Sequence, residues 1–395
     1  MNTPARVGFL LLAVAWGANH FVPLLPVYRL ALGLSATEIA QIFGVYAVGL
    51  VPGLLLGGPL SDRWGRVRLV LPAALVALMG SLVLGSFAAG FAQLLLGRFV
   101  VGLGSGAVFS AATAWVQDLA AASGPPGVGA RRAAIALSLG FGGGPLVAGL
   151  LAQWGPWPLR LPYGVQSVVL IGAWAAVAAA APSASGPAQV SGTSMLPRSL
   201  HAPAPRVRVW PLPVGFGRQI LPAAPWVFAL PSISFAVLPA GLAATIGRHA
   251  AVFAGTVAAF TLLSGVLVQT PLRTRDSIVA ARFGLTCGAA GLALAAVALN
   301  ARSIAGVLGA AVVLGAGYGG CLVAGLRFIE SRSPPPVRGA HTGIFYVLAY
   351  AGFVAPLLLA WLGERWGTAG AVGWASACAG GSLLLLVLLK PRGAG

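Results

Sequence analysis

The sequence predicts an all-α membrane protein: twelve transmembrane helices arranged as two pseudo-symmetric six-helix bundles. Three observations carry this reading. The chain of 395 residues is 58% hydrophobic and only 8% charged, whereas a soluble domain carries about a quarter charged residues. The apolar residues fall into twelve runs near the roughly 20 residues that a spanning helix needs. Between the sixth and seventh runs, residues 182–222 are rich in Pro, Ser, Gly and Arg and lack helical periodicity, which marks a linker. The expected organisation is an N-terminal bundle over 1–181, a cytoplasmic linker over 182–222 and a C-terminal bundle over 223–395.

The elements follow in order. Span 1, 7–29, begins after Arg6 and runs through Asn19, His20, Pro23 and Pro26 without a small-residue cleavage site. It is too long for a signal-peptide core, so it reads as a span. Span 2, 37–60, holds Tyr46 and ends in GGPLSDRWGRVR, a polar hinge with Asp62, Arg63, Arg66 and Arg68. Span 3, 69–89, follows at once, and span 4, 92–116, carries Arg98 and stops before Asp118. Span 5, 132–154, opens after Arg131 and Arg132 and holds Gly140, Gly144, Pro145 and Gly149; span 6 is 161–181. Span 7, 223–246, contains Ser232, and span 8, 249–270, contains Thr261 and ends in GVLVQTPLR. Spans 9 to 12 are 280–299, 302–326 with Tyr318, 340–362 with Tyr346 and Tyr350, and 367–389.

Charge sets the orientation. With the N-terminus inside, eighteen of the 24 Lys and Arg residues fall in cytoplasmic segments and five in outer ones; Arg98 alone lies within a span. That bias places both termini in the cytoplasm of a multi-pass protein of the inner or plasma membrane. The net charge of +18 does not point to nucleic acid, because such binders gather their basic residues on one polar surface. Cys287, Cys321 and Cys378 lie in apolar runs without metal-ligand spacing and read as small apolar side chains. The string Gly315, Gly317, Gly320 matches a dinucleotide motif in letters only. It sits inside a span with no strand before it, so it reads as helix packing. No Walker loop, metal cluster or nucleophile–base pair is present, so no cofactor, metal or enzymatic activity is expected.

The halves echo each other. Gly58 opens the loop 2–3 hinge and Gly265 a weaker relative near loop 8–9; Asp118 closes span 4 as Glu330 follows span 10. An internal six-span repeat is a transporter signature, because access can alternate by rocking one half against the other.

On these residues the chain resembles the major facilitator superfamily over essentially its whole length. The loop 2–3 signature reads as Gly58, Leu60, Asp62, Arg63, Gly65 and Arg66. The span 4 signature reads as Arg98, Gly102, Gly104 and Gly106. A span 5 signature of proton-linked exporters reads as Gly140, Gly144, Pro145 and Gly149. Gln269 stands where the second-half loop would carry its acid. The resemblance implies efflux of a small molecule through the lipid bilayer by alternating access and proton antiport, in a monomer. It also implies a gate in which Arg66 reaches Asp118.

Each residue has a plainer alternative. Asp62 can cap the next helix and pair with a cation when the gate is shut, or it can form a static surface pair worth under about 1 kcal/mol. Arg98 is expected to contact substrate or the proton path, the alternative being snorkelling to the outer interface. His20, beside Asn19, can carry the coupled proton or simply bond between helices. The span 5 glycines and Pro145 are expected to kink that helix and allow close packing. Tyr46, Tyr318 and Tyr350 are expected to face the cavity. All six acids map to span ends, so proton antiport lacks its usual mid-membrane carboxylate; His20, or a deeper-lying Glu38, would have to substitute.

Overall fold

The computed structural model describes residues 3–86, 90–121, 128–180 and 212–388. The expected linker up to residue 211 lies outside the described residues, as do the inner charges Arg198, Arg206, Arg208, Lys390 and Arg392. The described chain is helical, with ten helices long and apolar enough to cross a membrane.

Most spans are single helices. Spans 2 to 6 are Ala36–Trp64, Arg66–Gly85, Phe91–Ala121, Val128–Trp154 and Leu161–Ala178; spans 8 to 10 are Ala250–Leu272, Ser277–Asn300 and Ile304–Arg332. Span 1 breaks after Thr3–Asn19, passes through a short 3-10 turn at Val22–Leu24 and resumes as Leu25–Leu32. Pro23 and Pro26 withhold two backbone donors there, so the regular ladder cannot continue. Span 7, expected as one helix over 223–246, is instead Trp226–Ala236, Leu238–Gly241 and Ala243–Ile246. Pro239 supplies the same reason.

Spans 11 and 12 lie in one apolar stretch, His341–Leu388, of 48 residues. It is folded in two at Gly367, whose φ of 71° and ψ of 158° suit glycine alone. Before this point Glu364 meets Thr37 at the start of span 2, and beyond it the chain runs back until Leu386 packs with Phe216 and Leu272. The twelve expected spans are thus ten helices of crossing length, one of them doubled at Gly367, and one shorter, interrupted helix.

Glycines make the repeat physical. In span 4, Gly102 and Gly106 press on the backbone of Tyr46 and Leu50 in span 2, while Gly104 presses on Ala73 and Ala77 in span 3. In span 10, Gly315 and Gly319 press on Thr261 and Gly265 in span 8, and Gly317 on Gly284 and Gly288 in span 9. The same three-glycine ladder holds the same trio of helices in each half, because a missing side chain lets backbones approach. Gly315, Gly317 and Gly320 are therefore packing sites.

Among the described residues, the apolar clusters join the two halves at one end. At the end bearing the Asp62 loop, Val7, Val70, Val116 and Ala133 form a cluster of first-half residues, and Phe216, Leu272, Phe328 and Phe345 one of second-half residues. At the far end, Phe21, Phe43 and Tyr46 join Phe235, Ala251, Ala258 and Leu262 in a single cluster.

Candidate functional site

The hinge after span 2 is a three-residue relay. Arg66 Nη1 lies 2.7 Å from Asp62 Oδ1, and its Nε donates to Asp118 Oδ2 at 3.1 Å. Arg66 also donates to Ser61, whose hydroxyl donates to the Gly58 carbonyl at 2.8 Å. The guanidinium thus bridges the ends of spans 2 and 4 from the first residue of span 3. Gly65 makes this geometry accessible with φ of 93° and ψ of 148°, a glycine conformation that turns the chain between two helices. Asp62 does not cap the next helix: Gly65 occupies that position, without a side-chain hydrogen bond. Arg63 is exposed beside the relay. Both carboxylates are more than half exposed, so the static worth of each pair is under about 1 kcal/mol.

Among the described residues, the second half has no matching bridge. Glu330 pairs with Arg327 of its own helix at 3.6 Å.

Arg98 is buried, not snorkelled, at 1% exposure. Its Nη1 donates to the Ala18 carbonyl at 3.0 Å, where the helix of span 1 is about to end. Its guanidinium carbon stands 4.8 Å from the Phe21 ring centre and 4.3 Å from that of Tyr46. Its Nε has no hydrogen-bond partner, and no acid pairs with it among the described residues. His20 is fully buried at the break in span 1 and meets the Tyr163 ring edge-on at 4.5 Å. The carbonyls of Gly17 and Trp16 lie near its ring, yet neither ring nitrogen reaches hydrogen-bond geometry. Tyr163 in turn meets the Tyr28 hydroxyl at 3.2 Å. Asn19 ends the first helix of span 1 half-buried.

Glu38 does not move deeper to serve as a proton carrier. It is half-buried at the start of the helix, and its Oε2 accepts from the Ser35 backbone at 2.8 Å in a capping box that starts span 2. All six acids are described and none is buried.

The tyrosines gather. Tyr350 in span 11 stands within electrostatic reach of Tyr346, Tyr46 and Tyr318. Tyr350 stacks on Phe228 of span 7, with ring centres 4.5 Å apart and planes at 7°. Phe353 adds contacts to Phe228 and, at 5.6 Å, to Phe43 of span 2. Sequence reasoning missed Phe228, Phe353, Tyr163 and Tyr28. The spacing of Tyr346, Tyr350 and Phe353, which share a helical face, was the available signal.

Span 5 is one helix through Pro145, and its glycines give the expected close packing. Gly140 packs against Leu12 and Ala15 of span 1, and a Cβ on Gly144 would stand 2.6 Å from the Trp16 ring. The far end of the same helix faces the other half: a Cβ on Gly149 would stand 2.8 Å from the Ala251 carbonyl, and one on Gly255 2.6 Å from that of Pro145. Gln153 Nε2 donates to the Arg248 carbonyl across this seam at 2.9 Å.

Comparison with known proteins agrees with this arrangement. The family model described as Major Facilitator Superfamily matches residues 7–304. The bacillibactin exporter of Bacillus subtilis (strain 168) is 30% identical over 113 residues, 27% of this chain and 28% of that one. The 3-(3-hydroxy-phenyl)propionate transporter of Escherichia coli (strain K12) is 34% identical over 126 residues, 32% of this chain and 29% of that one. The multidrug resistance protein MdtL of Escherichia coli O45:K1 (strain S88 / ExPEC) is 38% identical over 93 residues, 23% of each chain. The chain therefore spans less than a third of the length of these curated relatives. Among solved structures, the nucleoside transporter NupG superposes with a TM-score of 0.70 at 12% identity, covering 99% of this chain and all of that one. A peptide transporter POT bound to sulfate superposes with a TM-score of 0.76 at 15% identity, covering 99% of this chain and 94% of that one. At these identities the likeness is one of fold.

Proposed function

The chain belongs to the Major Facilitator Superfamily, a family of multi-pass membrane transporters of small molecules, and on that premise we propose that it exports an amphipathic small molecule by alternating access. The observation that carries this reading is the one-sided contact between the halves, which share a core at the far end and keep separate cores at the Asp62 end. Among the described residues, arginines crowd the Asp62 end, so by the positive-inside bias that end is cytoplasmic and both termini lie inside. The arrangement is then the inward-open member of an alternating pair, in a monomer of the cell membrane built as two bundles joined by the 182–222 linker.

The residues take roles in this scheme. Glycine contacts between spans 5 and 8 close the outer side. The Asp62–Arg66–Asp118 relay is free to exchange partners when the inner side closes. The aromatic cluster around Tyr46, Tyr318 and Tyr350 receives the apolar part of the substrate. Two relatives whose names denote export or multidrug resistance support the direction. The named phenylpropionate transporter supports a second reading, a metabolite carrier of the same family.

Proton antiport is the proposed energy source. Since no acid is buried, His20 is the group assigned to carry the proton. The test is proton flux in liposomes reconstituted with the full chain, on adding candidate substrates. Substrate-dependent proton movement against substrate flow supports antiport. Substrate movement without proton movement removes it and leaves a uniporter.

A further inference from the structure

We propose that the binding cavity is selective for charge, taking aromatic molecules that carry one carboxylate and disfavouring cations, with Arg98 as the residue that sets the preference. This rests on the export reading and names its substrate class.

The charge inventory is one-sided. Arg98 is the single formal charge well inside a span in the sequence, and a guanidinium stays protonated in proteins. No carboxylate neutralises it. Asp62 and Asp118 are held by Arg66, Glu330 pairs with Arg327, Glu38 caps span 2, Glu364 meets Thr37, and Asp276 is exposed at the start of span 9. What surrounds Arg98 is neutral: one carbonyl, two aromatic faces, and His20 with both ring nitrogens unbonded. An uncompensated cation in a low-dielectric interior costs several kcal/mol and projects its field well beyond its contacts. The chain supplies no counter-charge, so a ligand anion is the natural one.

The field reaches the aromatic cluster through a single ring. Tyr46 lies with its face 4.3 Å from the guanidinium carbon and is within electrostatic reach of Tyr350. A cation over the ring face draws electron density from it and makes the Tyr46 hydroxyl a stronger donor to a carboxylate. On the other side, Phe228, Tyr350 and Phe353 offer a stacked face for an aromatic ring. The hydroxyls of Tyr318, Tyr346 and Tyr350 make no hydrogen bond to any described residue. An anionic headgroup and an aromatic body therefore have complementary places side by side. Arg98 is buried in this state, so it acts as a positioning charge behind Tyr46. A unit charge about 10 Å away at an effective dielectric near 20 changes affinity roughly tenfold.

The experiment uses the full chain in liposomes with three near-isosteric probes: 3-phenylpropionate, 3-phenylpropanamide and 3-phenylpropylammonium. Binding is followed by tryptophan fluorescence and transport by counterflow. The expected order is carboxylate over amide by roughly tenfold, and amide over ammonium. Arg98→Met should bring carboxylate and amide within about threefold, and Arg98→Lys should restore the preference, a readout that a purely structural role would not move. Equal affinity for all three probes, a preference for the ammonium, or a carboxylate preference that survives Arg98→Met would each overturn the proposal. Should Arg98→Met fail to fold, Arg98→Gln, which keeps a polar side chain without the charge, takes its place with the same expected and overturning results. Efflux of neutral or cationic aromatic dyes without carboxylate preference would overturn this inference and leave the export reading intact, whereas no flux of any probe or dye would remove both.

Discussion

Gly149→Ala should loosen the far-end contact between the halves without unfolding either one. The new Cβ would stand 2.8 Å from the Ala251 carbonyl oxygen and 3.3 Å from the Val252 Cα, both backbone atoms of span 8 that no rotamer change can move aside. Relief therefore requires span 5 and span 8 to separate. Overpacking of this kind costs about 1–3 kcal/mol. The contact is made between halves, so the cost falls on the state that closes the far end and not on the alternative. A shift of that size moves a two-state equilibrium by roughly 5- to 150-fold. The assay is maleimide labelling of Gln153→Cys, with the three native cysteines replaced, because Gln153 sits in the same seam with its side-chain oxygen buried. The labelling rate should rise at least about fivefold. Gly144→Ala is the control: its Cβ meets Trp16 of the same half at 2.6 Å, so it should lower thermal stability and leave labelling unchanged. An unaltered labelling rate in Gly149→Ala, at unchanged stability, would refute the assignment of this seam as the moving contact.

Other expectations follow from the same geometry. Asp62→Asn and Asp118→Asn should each change stability by under about 1 kcal/mol, since both carboxylates are largely exposed, yet cut transport about tenfold or more if the relay is a gate; thermal unfolding and flux on the same samples separate the two effects. His20→Gln keeps a polar side chain but cannot titrate, so transport should lose its dependence on a pH gradient; unchanged dependence in liposomes would take His20 out of the coupling step. Gly367→Ala forces a Cβ into φ of 71° and ψ of 158° and should cost about 1–3 kcal/mol, read as a lower unfolding temperature with span 12 still inserted.

How far the sequence reached depends on which physics each feature obeys. The all-helical class, most span positions and the loop 2–3 hinge were legible because hydropathy and turn residues act locally. The relay was legible because Asp62 and Arg66 lie one helical turn apart on either side of a glycine. The breaks in spans 1 and 7 were less so. Pro23 and Pro239 announce trouble, but a proline can bend a helix or end it, and the neighbours decide which. Burial of Arg98 was legible only in part: the sequence placed it within a span, but with about six residues before it snorkelling stayed open as the alternative. Only the packing of Phe21 and Tyr46 over its guanidinium closes that route. Glu38, open as a deeper proton carrier, is committed to a helix cap by Ser35 three residues earlier.

By itself, then, the sequence determined the twelve apolar runs, the two-half repeat and the end at which charge collects. The reason is that a bilayer penalises each charged or unpaired polar group where it stands. The tertiary structure decided which side chains from distant spans share one space. It brought Tyr46 of span 2, Tyr318 of span 10 and Tyr350 of span 11 together, set Arg98 behind the first of them, and joined the halves at one end. Those are long-range contacts fixed by how glycine-lined helices approach one another, and no local pattern encodes them.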